Sequence, residues 1–360
     1  MSKMIVLTGG GTAGHVTPNL ALLQGLRERG FEIRYIGSYD GIEKQMMEKA
    51  GVPYDGIATG KFRRSLDPKN ITDIGNVFKG AREAVSLLKK YRPAIVFSKG
   101  GYVSVPVVKA AQKLGIPAII HESDMTPGLA NKLCYGAASK ICCNFPETLE
   151  LLPKNKAVLS GSPIRKELLS GDREKGLRFA GLKGDKPVLL MIGGSLGALK
   201  LNNTLREALP ELLKTFDVIH LTGKGKLDEA LQGTPGYVQY EFISDELADL
   251  FAASDVIFSR AGANAICEIL ALRKPNLLVP LPKEESRGDQ ILNAASFEKQ
   301  GFSKVIAQAD LTPEVLTKAV AELYENRDKY IAAMSESSQS DGVSVILGLI
   351  DELTAGKDRA

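Results

Sequence analysis

Several residue types that mark particular classes of protein are scarce or absent in this sequence. The chain of 360 residues has no tryptophan, three histidines and four cysteines. The histidines, at positions 15, 121 and 220, lack the H-x-x-x-H spacing of a helical zinc site, so we predict no zinc. The cysteines form no C-x-x-C pair, which favours buried free thiols in a reducing compartment. They are Cys134, Cys142, Cys143 and Cys267.

Long apolar runs and a strong charge bias are also missing. No apolar run approaches the roughly 20 residues of a transmembrane helix. The N-terminus "MSKMIVLTGG" lacks the apolar region and small-residue cleavage site of a secretion signal, so we expect a cytoplasmic protein. Lys and Arg number 46 and Asp and Glu 42, and the net charge is +4. This mild charge permits attraction to an anionic surface and does not indicate nucleic acid as a partner.

Apolar runs typical of strands alternate with amphipathic helical patterns along most of the chain. This alternation predicts an α/β protein with parallel sheets, and the length favours two domains. The runs include "MIVLTG", "EIRYIG", "AIVFSKG", "PAIIHES", "KICCNF", "AVLSG", "PVLLMIGG", "DVIHLTG", "VQYEFI", "DVIFSR" and "NLLVPL".

The two halves of the chain resemble each other. "GGTAG" at 10–14 corresponds to "GGSLG" at 193–197, and "SKGG" at 98–101 to "SRAG" at 259–262. We therefore predict two Rossmann-like domains, 1–163 and 164–342, with a last helix at 343–357 that joins the first. Ligands of open α/β sheets bind beyond the carboxyl ends of the strands, where these loops lie.

The first glycine loop, "GGGTAGHVTP", matches the dinucleotide fingerprint G-x-G-x-x-G but does not read as a cofactor loop. We expect Thr17 as the N-cap and Pro18 as the first helical residue, which leaves Gly14 in the turn. The second strand ends in Gly37 and Ser38 instead of an acid that would bind ribose. The loop suits an anion or a sugar diphosphate better than a nicotinamide cofactor.

The second glycine loop, "GGSLG", spells the nucleophile elbow of an α/β-hydrolase. That fold needs an acid and then a histidine after its nucleophile. The only histidine after this loop is His220, inside a predicted strand, so no catalytic triad can be assembled in the required chain order. We interpret Ser195 as a hydroxyl donor to phosphate, beside backbone N–H groups.

The stretch "RAGANAICEILALRKP" predicts a turn that enters a helix. Gly262 allows a ligand to approach the backbone, and the helix N-terminus favours negative charge. Glu268, one or two turns in, can accept both hydroxyls of a ribose. In "DQILNA", Gln290 and Asn293 are three residues apart and share a helix face, a spacing that suits sugar hydroxyls.

Further polar residues lie at the ends of predicted strands. His121, Glu122 and Asp124 follow one strand, and Tyr102 follows another. Arg165 lies at the domain boundary, where a cation can face a diphosphate. Each of these residues alone is as compatible with a structural role as with a functional one.

Taken together, these motifs resemble glycosyltransferase family 28, specifically the bacterial N-acetylglucosaminyltransferases of peptidoglycan synthesis, over essentially the whole chain. The resemblance implies the GT-B fold, in which two Rossmann-like domains with parallel sheets face a deep cleft. It implies inverting transfer of N-acetylglucosamine from UDP-N-acetylglucosamine to the 4-hydroxyl of the N-acetylmuramyl group of lipid I, forming lipid II. The alternative is another GT-B enzyme, with a different acceptor or a UDP-sugar 2-epimerase activity.

The resemblance also implies roles for residues, carried over by position. The C-terminal half would hold the nucleotide sugar: Ser195 the phosphate, the Ile243 main chain the uracil, and Gln290 the sugar. The pyrophosphate and ribose would lie on Ala263, Asn264, Ala265, Ile266, Cys267 and Glu268. Thr12, Ala13 and Gly14 would reach the donor sugar from the first domain, and Arg165 matches a donor-contacting arginine.

The acceptor side of the resemblance involves His15 and Tyr102. His15 is the candidate base that removes the proton of the acceptor hydroxyl, and Glu122 is its rival. One departure concerns Asp124, which stands where the family often has an asparagine that binds the donor sugar. An ionised carboxylate accepts hydrogen bonds but cannot donate them. No DxD-like motif lies at a strand end, so we expect no bound metal and no cofactor.

A lipid substrate requires the enzyme at the cytoplasmic face of the membrane. The stretch at 61–90 combines basic and apolar residues, a pattern typical of peripheral binding to anionic lipid and also of an ordinary surface helix. The residues are Lys61, Arg63, Arg64, Lys69, Ile71, Ile74, Val77, Phe78, Lys79 and Arg82.

Overall fold

The computed structural model describes residues 3–60, 69–194, 197–286, 288–337, 339 and 341–355, with only the backbone described for 69–74. The chain divides into two compact units. The first unit is Met1–Arg165 together with Asp341–Ala360, and the second is Lys166–Ser340.

The first unit is built on a seven-stranded sheet in the order β3-β2-β1-β4-β5-β6-β7, in which the paired strands are parallel. The central strands read as apolar runs because a parallel sheet is covered on both faces. The strands are β1 Lys3–Thr8, β2 Phe31–Ser38, β3 Tyr54–Ile57, β4 Ile95–Ser98, β5 Ala118–Glu122, β6 Lys140–Cys143 and β7 Ala157–Leu159.

Helices cover both faces of this sheet. Ile5 and Leu7 belong to a core cluster that includes Leu22 of the first helix, whereas Val6 between them belongs to a cluster with Val107 of the fourth. Successive residues of a strand point to opposite faces, so a single strand supplies both clusters. The helices are α1 Thr17–Glu28, α2 Ile42–Lys49, α3 Lys69–Tyr91, α4 Ser104–Lys113, α5 Leu129–Cys134 and α6 Pro146–Leu149.

The second unit repeats the plan with six parallel strands in the order β10-β9-β8-β11-β12-β13. The strands are β8 Val188–Ile192, β9 Asp217–Leu221, β10 Tyr237–Tyr240, β11 Val256–Ser259, β12 Asn276–Leu278 and β13 Lys304–Val305. The helices are α7 Arg173–Ala180, α8 Leu199–Leu212, α9 Leu247–Ala253, α10 Ala263–Leu272, α11 Asp289–Lys299, α12 Pro313–Glu325 and α13 Arg327–Ser335.

The last helix, α14 Gly342–Thr354, packs on the first unit. Ile346 and Ile350 are fully buried in the cluster that contains Leu22, and a salt bridge of 2.9 Å joins Arg29 to Asp351. Gly25 of α1 has no side chain at the contact, where a Cβ would lie 2.3 Å from Leu347. The helix therefore completes the core on one face of the first sheet.

The prediction of an α/β fold with two parallel sheets is confirmed. The four cysteines are free and buried, as expected. Within the described ranges, no helix has both the length and the apolar character that crossing a bilayer requires. Strands β3 and β13 were not among the predicted runs.

Candidate functional site

The glycine loop after β1 leads into α1 through a short 3-10 turn at Ala13–His15. Gly11 has φ +86°, a conformation that residues with a Cβ rarely adopt. Gly14 lies in the 3-10 turn, ahead of α1, where the sequence places it.

The predicted N-cap of α1 is wrong by one residue. The helix begins at Thr17, its N-cap is Val16, and Pro18 is the second helical residue. The Thr17 hydroxyl donates to the Ala13 carbonyl at 3.1 Å instead of accepting from the helix. The reason is the 3-10 turn, which already supplies the carbonyl of Ala13 to the start of the helix.

His15 is half-buried, and its ring is held by its own loop. Nδ1 lies 3.1 Å from the Gly10 carbonyl oxygen and 3.3 Å from the Thr12 hydroxyl. Because a carbonyl oxygen only accepts, the proton of the neutral ring lies on Nδ1 and the lone pair on Nε2. Desolvation by burial, and then the charge of Lys99, lower the pKa of His15 below its usual value. Both effects favour a neutral imidazole, the form that acts as a base.

A fully buried carboxylate, Glu43 at the start of α2, supports the glycine loop. It accepts from the backbone N–H of Gly11 at 3.3 Å, from the N–H of Ser38 at 3.1 Å and from the Ser38 hydroxyl. A Cβ on Gly10 would lie 2.6 Å from this carboxylate. No motif in the sequence marks Glu43 as a site residue, and its only signal is that of an acidic residue in a first helical turn.

Two further side chains tie the loop to the sheet. The buried Tyr35 hydroxyl donates to the Gly9 carbonyl at 2.8 Å. The Asn19 amide lies 3.3 Å from the His15 carbonyl, to which it donates, and 3.4 Å from that of Thr8. The position of His15 is therefore set by contacts on both sides of the loop.

The turn that follows β4, Lys99–Tyr102, packs against the glycine loop. Gly101 has φ +84°, and a Cβ there would lie 2.3 Å from the Gly10 carbonyl oxygen and 3.2 Å from Nδ1 of His15. A Cβ on Gly11 would lie 2.8 Å from the Tyr102 ring. His15 and Tyr102 therefore lie in two turns that pack together, at the ends of the neighbouring strands β1 and β4.

Glu122, the rival base, has its carboxylate engaged within the loop that follows β5. It accepts from the N–H groups of Ser123 at 3.0 Å and Gly128 at 2.9 Å, and from the Asn131 amide at 2.9 Å. Burial raises its pKa, and the amide contact opposes that rise. At 5% exposure the group organises the loop that carries Asp124, which is half-exposed.

Beneath this loop lies Lys99, a buried lysine that the sequence analysis did not single out. Its ammonium lies 2.7 Å from Nδ1 of His121 and 2.6 Å from the Ser123 hydroxyl. His121 donates from Nε2 to the Gly161 carbonyl at 2.9 Å, so Nδ1 accepts. Burial and Lys99 lower the pKa of His121 well below its usual range.

Arg165 is the last residue of the first unit before the chain enters the second unit. Its Nε is buried and, among the described residues, has no hydrogen-bond partner. A buried unpartnered guanidinium N–H calls for an acceptor, and phosphate oxygens are of the right type.

In the second unit, Ser195 lies outside the described residues. Gly197, two residues later, has φ +67°, and a Cβ there would lie 2.1 Å from the Thr222 carbonyl oxygen. Ile243 is half-buried in the loop that follows β10.

The predicted pyrophosphate and ribose stretch forms the first turns of α10. The N-cap residue is Gly262, which has no side chain to cap the helix. Ile266 and Cys267 point into the core, with exposures of 0% and 6%. Asn264 and Glu268 are partly exposed and, four residues apart, share the outer face. Asn264 and Glu268 are therefore the polar side chains of this stretch that reach the surface.

Gln290 and Asn293 of α11 do not present equivalent amides. The Gln290 carbonyl oxygen accepts from the N–H of Leu281 at 3.0 Å, and the side chain is half-exposed. Asn293 is fully buried and donates to the Ala261 carbonyl at 3.3 Å. Its amide supports the turn into α10, and its placement leaves it no surface for a sugar. The expectation that Asn293 binds the sugar is corrected, because its side chain is fully buried against the Ala261 carbonyl, whereas sugar binding by Gln290 stays a prediction.

No three His, Cys, Asp or Glu side chains lie close enough together to hold a metal ion in the part of the chain that the structure describes.

Comparison with known proteins identifies the class of protein. The N-terminal domain of glycosyltransferase family 28 matches residues 5–143, and the C-terminal domain of that family matches residues 188–347. The chain belongs to glycosyltransferase family 28.

The relatives carry one enzyme name. The UDP-N-acetylglucosamine–N-acetylmuramyl-(pentapeptide) pyrophosphoryl-undecaprenol N-acetylglucosamine transferase of Lachnoclostridium phytofermentans is 62% identical, covering 98% of this chain and 99% of its own. The Lachnospira eligens protein of that name is 58% identical, with 97% and 99% covered. The crystal structure of Acinetobacter baumannii MurG is 27% identical with a TM-score of 0.76, covering 97% of this chain and 99% of its own.

Proposed function

We propose that this protein transfers N-acetylglucosamine from UDP-N-acetylglucosamine to the 4-hydroxyl of the N-acetylmuramyl group of lipid I, with inversion at the sugar carbon. The observation that carries the proposal is the 62% identity, along nearly the full length of both chains, to an enzyme named for this transfer. That identity favours a transferase over a UDP-sugar 2-epimerase with the same fold.

His15 is the base in this proposal. Its Nδ1 is engaged with the Gly10 carbonyl, so the lone pair on Nε2 can take the proton of the acceptor hydroxyl. The lowered pKa of His15 keeps the ring neutral near pH 7. The Glu122 carboxylate already accepts three hydrogen bonds from its own loop, so we assign it a positioning role.

The donor lies on the second unit. Glu268 accepts the ribose hydroxyls, Asn264 and the N-terminus of α10 face the pyrophosphate, and Gln290 binds the sugar. The negative charge that grows on the leaving UDP is stabilised by helix N-termini and by a cation, Arg165. Ser195 binds the phosphate, and the Ile243 main chain binds the uracil.

The remaining donor contacts come from the first unit. Thr12, which precedes the 3-10 turn, and Ala13 and Gly14 within it contact the donor sugar. Asp124 accepts from one of the sugar's hydroxyls or its acetamido N–H. Tyr102 borders the acceptor. The reaction needs no bound metal or cofactor in this proposal, because charge stabilisation is assigned to Arg165 and the helix ends.

The lipid-linked acceptor requires a membrane-facing surface, and we assign it to α3. Phe78 is 67% exposed, and Lys79 and Arg82 on the same helix are exposed. An apolar side chain among cations suits peripheral binding to anionic lipid on the cytoplasmic face. Lys61, Arg63 and Arg64 lie outside the described residues, as do the side chains of Lys69, Ile71 and Ile74. Cosedimentation with anionic and neutral vesicles tests this assignment, and equal binding to both would remove it.

The test of function is transfer of radiolabelled sugar from UDP-N-acetylglucosamine to a lipid I analogue. Wild type forms the disaccharide, and loss of general-base catalysis in His15→Ala lowers kcat by about 10²–10⁴-fold. Conversion of UDP-N-acetylglucosamine in the absence of acceptor would favour an epimerase instead. Near-normal turnover of His15→Ala would show that the base is another group.

A further inference from the structure

A groove in the first unit lies beside the glycine loop. Of the residues that line it, only Tyr102 and Lys79 have a role in the proposed function. Its volume is about 350 Å³, within the range of small-molecule sites. We call it the β2–α3 groove. It is lined by Ser38–Gly41 after β2, Ala58 and Thr59 after β3, Asn76 and Lys79 of α3, and Tyr102.

The lining of the β2–α3 groove is polar and carries both signs of charge. Asp40 supplies a carboxylate, Lys79 an ammonium, Asn76 an amide and Thr59 a hydroxyl. The Lys79 side chain is 62% exposed, and its contact with Glu83, at 3.8 Å, is longer than a hydrogen bond. Such a lining suits a ligand with amides and charged groups and does not suit a lipid chain.

The walls of the groove are fixed by α3. The Glu83 carboxylate accepts from the Tyr39 hydroxyl at 2.7 Å and from the N–H of Ala58 at 2.7 Å. Gly80 permits this close approach, because a Cβ there would lie 1.9 Å from the Ala58 carbonyl oxygen. The groove is therefore preformed between α3 and the ends of β2 and β3, and a ligand need not order it.

The groove adjoins the loop that carries the proposed base. Tyr102 forms one of its walls and packs against Gly11 of the glycine loop. Gly101, the residue before Tyr102, packs against the ring of His15. A substrate whose hydroxyl meets His15 therefore has the groove at its side.

The acceptor carries a peptide that can occupy the β2–α3 groove. In an N-acetylmuramyl unit the peptide is attached through the lactyl ether on carbon 3, next to carbon 4, which bears the reacting hydroxyl. When that hydroxyl meets His15, the peptide must leave the sugar close to the loop. A peptide also brings amides and charged groups, which match the lining.

We propose that the β2–α3 groove is the subsite for the first residues of the acceptor's peptide and makes the enzyme select peptide-bearing acceptors. This inference rests on the proposed function. Asp40, Asn76 and Thr59 supply hydrogen-bond partners, and Lys79 supplies the charge that attracts a peptide carboxylate.

The experiment compares two soluble, short-chain lipid I analogues, one with the pentapeptide and one that ends at the lactyl carboxylate. The variant is Asp40→Ala with Asn76→Ala. The control is Asp185→Ala, an exposed residue before β8, on the amino side of the second sheet. The readout is the ratio of kcat/KM for the two acceptors, without vesicles.

We expect wild type to prefer the pentapeptide acceptor, and the double variant to lower that ratio about tenfold, through KM, as befits two lost hydrogen bonds. Asp185→Ala keeps the wild-type ratio. A wild type without preference, or a double variant that keeps the ratio, would overturn the subsite. Failure of wild type to transfer to either acceptor would instead overturn the proposed function.

A second measurement needs no turnover. Calorimetric titration with soluble N-acetylmuramyl-pentapeptide should show binding to wild type and weaker binding to the double variant. Equal affinity for both proteins would overturn the subsite even where transfer is observed.

Discussion

The ammonium of Lys99 lies 2.7 Å from Nδ1 of His121, and both side chains are buried. Burial, and then the charge of Lys99, lower the pKa of His121, so its ring is neutral and its Nδ1 accepts from the Lys99 ammonium while Nε2 donates to the Gly161 carbonyl. That charge, two residues before Gly101, lowers the pKa of His15. A buried cation thus lowers the pKa of the proposed base.

The first prediction concerns the pH dependence of turnover. Lys99 lowers the pKa of His15, whereas Asp124 and Glu43 raise it. Lys99→Met therefore raises this pKa and moves the acidic limb of the kcat/KM profile to higher pH, because His15 must be neutral to accept a proton. Asp124→Asn moves the limb to lower pH. The measurement is kcat/KM against pH for the three proteins, and a shift in the same direction in both variants would contradict the assignment.

A second prediction separates a steric clash from backbone strain at two glycines. Gly101 and Gly115 have φ +84° and +67°, but a Cβ on Gly115 meets nothing within 4 Å. Both alanine variants lose about 1 kcal/mol of unfolding free energy to strain. Only Gly101→Ala displaces the glycine loop, so its kcat falls at least about tenfold while Gly115→Ala keeps normal turnover. Urea unfolding and kcat check the two effects, and equal kcat would show that the loop tolerates the displacement.

The third prediction concerns the buried carboxylate under the loop. Glu43→Gln replaces an acceptor with an amide that cannot satisfy the N–H groups of Gly11 and Ser38 together. We expect a loss of about 1–3 kcal/mol in the free energy of unfolding, together with reduced turnover. Glu48→Gln, exposed on the same helix, is the matched control and should change neither. A Glu43→Gln protein as stable and active as wild type would remove the support that we assign to this residue.

Acid sensitivity of the second unit provides a fourth prediction. Burial, and then Arg206, lower the pKa of His220 to about 3. The unfolded chain takes up the proton at pH near 6.5, so this residue's contribution to stability is present above pH 6.5 and is lost as the pH falls. Between pH 6.5 and pH 5 the loss is about 2 kcal/mol.

The variant for this test is His220→Gln, since the neutral ring bridges the Tyr237 hydroxyl and the Asn202 amide oxygen. Its free energy of unfolding should fall less steeply with pH over the same interval, although it starts lower at pH 7. His121 contributes a loss in the same direction in both proteins. Identical slopes from urea unfolding at pH 6.5 and pH 5 would contradict the assignment.

Local patterns predicted the strands well where an apolar run is present. The run "VLLMI" forms β8 and "DVIHL" forms β9, because both are buried on two faces. Strand β3, "YDGI", and β13, "KV", carry no such run and were missed. Both are edge strands of their sheets. An edge strand is only partly buried, so its composition gives little indication of a strand.

Some candidate site residues are exposed and others are buried or already hydrogen-bonded, and their spacing in the sequence did not indicate which. Asn293 and Gln290 share a face by spacing, yet one amide is buried against Ala261 and the other is half-exposed. Glu122 reads as a catalytic carboxylate at a strand end, yet three donors within its loop occupy it. Helical periodicity predicts which residues share a face, but only the tertiary packing determines which of them are buried.

The sequence by itself determined the alternation of strand and helix, the two glycine-rich halves and the family, since each of these is recorded in short runs of residues. Tertiary structure decided that Lys99 meets His121 and Ser123, and that Glu43 meets Gly11, 32 residues away. Such contacts depend on which strands lie side by side in the sheet. The order β3-β2-β1-β4-β5 brings those strand ends to one edge, and no local pattern encodes that order.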